Sequence, residues 1–185
     1  MHRADRQRGF TLIELLTTLA IAGIGLTVAV PGLQKIVAGS QRSTAINELV
    51  STMHMARSAA ITRNEQVTVC PSSTGLSCDD SQWEEGWIYF TDPDQSRQVS
   101  DDEVILGVAA GIENFEIKSP DFERFFVYRP NGHLMVDTQA EMSGEMYFCD
   151  PRGDEFTARV VIHVSGKPQL DDAGLDRSAS PCEPT

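Results

Sequence analysis

Several things this chain of 185 residues lacks narrow what it does. Cations are outnumbered, 15 Lys and Arg against 27 Asp and Glu, for a formal net charge of -12. Such a balance repels phosphate backbones and disfavours electrostatic binding of nucleic acid. None of the four cysteines stands in a CxxC pair, which argues against zinc and thioredoxin-like chemistry. His2, His54, His133 and His163 are scattered, without metal-ligand spacing, and no nucleophile motif frames a serine. No enzyme, metal or cofactor is therefore expected. No internal repeat is present. Between Glu14 and Lys35 no side chain ionises at all.

That uncharged gap is about the length a bilayer requires. A basic leader (Arg3, Arg6, Arg8) precedes it and ends in Gly9, Phe10 follows directly, and the apolar run continues to Val30. By charge, the leader stays cytoplasmic and the remainder crosses outward. A secretory signal peptide fits poorly, because no small-residue cleavage site follows the apolar core. Glu14 is the exception inside the run. A carboxylate among apolar residues is expensive, and such residues usually have a functional partner. The plainer alternative is an ordinary signal anchor whose carboxylate reaches the headgroups.

Gly9-Phe10-Thr11-Leu12-Ile13-Glu14-Leu15-Leu16 closely resembles the processing motif of the type IV prepilin class. The resemblance implies cleavage between Gly9 and Phe10 by a prepilin peptidase, a membrane aspartyl enzyme, and N-methylation of the new Phe10 amine. It also implies that Glu14 faces the N-terminal amine of a neighbouring subunit in a helical filament. The charge argument agrees, since cleavage creates a cation at the end of an apolar helix and a carboxylate in lipid needs one. Removing the leader leaves the rest of the chain at about -14.

The length allows one membrane segment and one modest domain, and the 41% hydrophobic content is enough for a buried core. The first helix is predicted to run from Phe10 to about Arg63. Pro31 lacks a backbone donor and clashes with the preceding turn, so a kink or a melted segment is expected at Pro31 and Gly32. After Ser40, Ile46, Leu49, Val50, Met53, Ala56 and Ala60 fall at helical spacing on one side, with Asn47, Glu48, His54 and Arg57 elsewhere. This is an amphipathic helix with a core-facing stripe.

From Gln66 the chain reads as short strands separated by polar turns. The candidates are 66–70, 87–91, 103–106, 112–118, 124–128, 134–136, 145–149 and 159–164, and Pro130-Asn131-Gly132 marks a hairpin. In 87–91, Trp87 and Tyr89 share one face and Ile88 and Phe90 the other, so this strand is expected to be central. Asp92-Pro93-Asp94 hints at a calcium loop but lacks the rest of an EF-hand pattern, and it is read as a turn. Arg152-Gly153-Asp154 is read as a chance adhesion tripeptide. His163 is expected on the solvent face of the last strand, and 167–185 as a surface tail. Four cysteines beyond a membrane-crossing segment suggest disulfides in an oxidising compartment. Local spacing favours Cys70–Cys78, leaving Cys149–Cys182, although three connectivities are open.

A second resemblance covers most of the chain. Asn47 to Val50, Ala56 to Asn64, Val67 to Cys70, Trp83, Gly86 to Asp92, Arg129 to Gly132 and Val161 to Lys167 are similar to the GspH/FimT family of minor pilins and pseudopilins. The fold it implies is α+β, with a long N-terminal helix, half membrane and half amphipathic, packed on a small domain of two antiparallel β-sheets. The expected layout is a leader at 1–9, a membrane or filament-core helix at 10–30, its amphipathic continuation at 31–64, a periplasmic β domain at 65–166 and a tail at 167–185. The implied role is structural: a minor subunit that helps to initiate a type IV pilus or the pseudopilus of type II secretion. Its implied partners are other minor and major pilins or pseudopilins, the inner-membrane assembly platform and membrane lipid. Some FimT-like members bind DNA for natural transformation through a basic Gly-Arg-x-Arg motif. Here the corresponding stretch is Gly166-Lys167-Pro168-Gln169 followed by Asp171 and Asp172, so Lys167 is the one cation in place and nucleic acid is not the expected partner.

Overall fold

The computed structural model describes residues 11–112, 115–136, 143–150, 152–153, 156–171 and 181–182, without the side chains of positions 28, 31 and 35. The chain divides into two compact units, Met1–Gln41 and Arg42–Thr185. One helix, α1, runs Leu12–Arg63 and contributes to both. Thr11 caps its start, its Oγ1 accepting the Glu14 N–H at 3.3 Å. The helix is unbroken through positions 31 and 32, so of the kink or melted segment expected there the melted segment is absent. Proline removes a single ladder bond, and the flanking bonds carry the helix past it. Its end is a left-handed cap: Asn64 has φ 56°, and the Glu65 N–H reaches back to the Ala60 carbonyl.

In the second unit, Ala45, Ile46, Leu49, Met53, Ala56 and Ala60 are buried on one face of α1, as their three- and four-residue spacing predicts. They pack into a core shared with two antiparallel sheets. The strands are β1 Val67–Pro71, β2 Gly86–Thr91, β3 Ile105–Ala110, β4 Glu116–Lys118, β5 Phe126–Tyr128, β6 Leu134–Met135, β7 Gly144–Cys149, β8 Ala158–Ile162 and β9 Pro168–Leu170. One sheet has the order β3-β2-β1-β5-β6 and the other β4-β7-β8-β9. β2 lies between two partners, and its faces divide as alternation requires. Trp87 and Tyr89 turn to the main core, while Ile88 and Phe90 pack with Cys70 in a second cluster. Each large side chain buried in this way contributes about 1.5–3 kcal/mol.

An aromatic group fixes the middle of the core. Trp83 stacks on Phe126 at 5.6 Å, and Tyr128 meets Phe126 edge-on at 5.9 Å. The two indole N–H groups have acceptors, Trp83 in the Phe122 carbonyl at 2.7 Å and Trp87 in Thr52 Oγ1 at 3.1 Å. The structure bonds Cys70 to Cys78 and Cys149 to Cys182.

Two expectations require correction. The stretch 167–185 is not wholly a surface tail, because its first residues form β9, which pairs with β8. The tight turn before it needs Gly166 at φ 74°, and Pro168 opens an edge strand where its missing donor costs nothing. The third strand is Ile105–Ala110, later than 103–106, because the chain before it is held in the turn that closes with the Glu103 N–H on the Ser100 carbonyl.

Candidate assembly segment and the surface of the β domain

The first unit offers an apolar stretch of helix that has no apolar partner among the described residues. None of its most hydrophobic 18-residue window is buried within the chain. Leu12, Leu19, Ile21, Ile24, Leu33 and Ile36 are all exposed. A helix that is apolar all round is stable only in lipid or among other helices, and this one is long enough to cross a bilayer. Its hydroxyls are satisfied locally, as Thr17, Thr18 and Thr27 each donate to the carbonyl three residues back. Glu14 is exposed in the first turn, at the third helical position. A carboxylate there also complements the positive end of the helix dipole. Gly9 and Phe10 lie outside the described residues.

In the second unit, Arg57 joins three elements. Its Nε donates to the Gly132 carbonyl in the β5–β6 turn and to the Ser165 carbonyl in the β8–β9 turn, both at 3.1 Å. Tyr128, whose hydroxyl is driven upward in pKa by burial, reaches the Gly166 carbonyl at 3.3 Å. Sequence reasoning placed Arg57 only off the buried stripe. Its role needs two turns distant in sequence, and no local pattern reveals that.

Among the described residues, the surface near Lys167 is not a basic patch. Arg159 on β8 is paired with Glu145 Oε1 at 3.3 Å and Asp171 Oδ2 at 2.5 Å. Lys167 is exposed, and its carbonyl closes the turn by accepting the His163 N–H. His163 is exposed, as expected, and its Nε2 lies 3.1 Å from Gln169 Oε1. Arg152 is held by Asp150 at 2.5 Å and lies over the Phe156 ring at 4.3 Å, so it is committed locally and not offered as part of an adhesion tripeptide. Asp154 is outside the described residues. Burial works against the Asp150 carboxylate, but the Arg152 hydrogen bonds outweigh it and hold its pKa below the usual range.

A group of carboxylates, Asp92 buried, Glu103 half-buried and Asp94 exposed, gathers where β2 leaves the sheet and β3 approaches it. The sequence marked Asp92 and Asp94 as a turn and gave no sign that Glu103 joins them.

Comparison with solved structures defines the fold. Two crystal forms of the type IV minor pilin FimU from Pseudomonas aeruginosa share the fold. Their TM-scores are 0.54 and 0.52 at 15% identity, covering 77% and 75% of this chain and 93% and 96% of theirs. An N-terminal apolar helix heading this two-sheet domain is a pilin-like architecture, and residues 5–30 match the prokaryotic N-terminal methylation motif. Residues 45–166 match the type II transport protein GspH family model, and the chain belongs to that family. Family and fold are those of structural pilin subunits, not enzymes. Among curated relatives, the fimbrial protein EcpC of Eikenella corrodens is 54% identical over 41 residues, 22% of this chain. A fimbrial protein of P. aeruginosa is 39% identical over 61 residues, 33% of this chain. The chain spans only 27% and 39% of those relatives' lengths. The apolar helix that begins within the methylation motif suits anchoring in the inner membrane.

Proposed function

We propose that this protein is a minor subunit of a type IV filament, a pilus or a type II secretion pseudopilus, and acts in initiating its assembly. The precursor waits in the inner membrane with its leader cytoplasmic and its β domain periplasmic. Cleavage between Gly9 and Phe10 frees an amine, which is then methylated. Glu14 pairs with such an amine on a neighbouring minor or major subunit as the helix leaves lipid at the assembly platform, and Pro31 with Gly32 supplies the kink. The observation that carries this reading is the apolar first half of α1, none of whose most hydrophobic window is buried, with one carboxylate in its first turn. Inside a filament that carboxylate gains a cation, and the apolar surface exchanges lipid for other helices. Glu14→Val is expected to leave membrane insertion intact and to remove the protein from sheared filaments, read by immunoblot of both fractions. Recovery at the wild-type level in the sheared fraction contradicts the pairing role.

A further inference from the structure

We propose that Asp92, Asp94 and Glu103 form a binding site for a hard divalent cation, calcium by ligand type, that braces the connection between β2 and β3. One carboxylate oxygen from each residue lies within 4.8 Å of the others. Closeness of acids alone says little, and the hydrogen bonding says more. The Asp92 side chain is fully shut from solvent. Its Oδ2 accepts from Thr68 Oγ1 and from Arg97 Nη1, each at 2.5 Å. Its Oδ1 is buried and has no hydrogen-bond partner among the described residues. Glu103 repeats the pattern: Oε2 takes the Ser100 N–H at 2.9 Å, and Oε1 is buried with no such partner. Asp94 Oδ1 takes the Ser96 N–H at 2.9 Å.

In Asp92 and Glu103, then, one oxygen is tied to the protein and the other is left over. An unpaired buried carboxylate oxygen is costly, and two of them beside a third acid are more so. The groups face each other: burial, and then the charges of Asp92 and Asp94, push the Glu103 carboxyl above its ordinary pKa. Among the described residues Arg97 is the cation paired with this cluster, and it is spent on Asp92 Oδ2 and on Gln66 Oε1 at 3.2 Å. Three carboxylates against one guanidinium leave a deficit of two charges, which one divalent ion cancels. The donors are all oxygen, with no nitrogen or sulfur, which selects a hard cation. Calcium tolerates irregular geometry and completes its shell with carbonyls and water, whereas magnesium demands a near-ideal octahedron.

The site is placed on fixed backbone. The Asp92 N–H bonds the Gln66 carbonyl, and Thr91 and Val104 exchange two bonds, one through the Thr91 hydroxyl. An ion joining Asp92 and Asp94 to Glu103 would therefore clamp the two ends of the 92–104 connection.

The test uses the full chain in detergent micelles, stripped with chelator and titrated with calcium chloride by calorimetry, with thermal melts in parallel. One saturable site is expected, with Kd of about 10⁻⁴–10⁻³ M, the range of extracellular calcium modules. Saturation should raise Tm by a few degrees, and magnesium chloride at equal concentration by clearly less. Glu103→Gln keeps an oxygen for the Ser100 N–H, so it should melt like wild type in chelator and bind calcium at least about tenfold more weakly. Asp94→Asn, at an exposed position, is the second variant should Glu103→Gln fold poorly. The proposal is overturned if wild type gives neither heat nor a Tm rise at about 10 mM calcium, well above that range. It is equally overturned if magnesium matches calcium, or if the folded variants bind as wild type does. None of these readouts involves filament assembly, so they stand apart from the proposed function.

Discussion

At the scale of single residues, the fold depends on positions whose importance comes from distant neighbours. Gly166 is the sharpest case. A Cβ there would lie 2.2 Å from the Gly132 carbonyl, and the backbone is at φ 74°. The neighbouring atom is backbone and cannot swing aside. Gly166→Ala is therefore expected to cost at least about 1–3 kcal/mol, the range for backbone strain alone, read as a lower urea midpoint. A second prediction concerns acid. The Asp150 carboxyl is held below its ordinary pKa in the folded chain. Its contribution is thus fully present above the unfolded value, near 3.9, and is lost as pH falls through the folded one. Arg152→Ala should lower stability at neutral pH, and its difference from wild type should shrink as pH falls through that window in urea titrations. A constant difference down to the lowest pH at which the protein folds contradicts the assignment.

At the scale of elements, what was legible in the sequence follows from pattern length. Alternating or helical runs with large apolar residues announced themselves, as in the stripe from Ile46 to Ala60 and the two-faced strand around Trp87. Asn131-Gly132 gave the β5–β6 turn, in which Gly132 alone of the pair takes the left-handed conformation, at φ 78°. β9 was not legible. Pro168, Gln169 and Leu170 are at best half-buried at a sheet edge, so no periodicity records them. The Glu103 contribution to the carboxylate group was equally hidden, since it depends on β2 and β3 lying side by side. The disulfides act at this scale too. Cys149–Cys182 closes a separation of 33 residues and Cys70–Cys78 one of 8. By loop-closure entropy, removing the longer link with Cys149→Ser and Cys182→Ser should cost about 4 kcal/mol, and removing the shorter with Cys70→Ser and Cys78→Ser about 2.5 kcal/mol. Denaturant melts of the two double variants check the order, and a larger loss for the shorter link contradicts it.

At the scale of the whole molecule, the two units meet different physical demands. Arg42–Thr185 closes its own core, with helix, two sheets and two disulfides. The apolar stretch of α1 before it leaves its surface exposed, with Glu14 in the first turn, and a helix of that kind is stable only in lipid or among other helices. The N-terminal methylation motif was readable because it is a local string of residues. The partners of that helix are not written in one chain. The account rests on the N-terminus being remade before assembly, and mass spectrometry of the protein recovered from sheared native filaments tests this directly. A chain beginning at N-methylated Phe10 is the predicted result. A chain in the filament fraction that still carries residues 1–9 would contradict it.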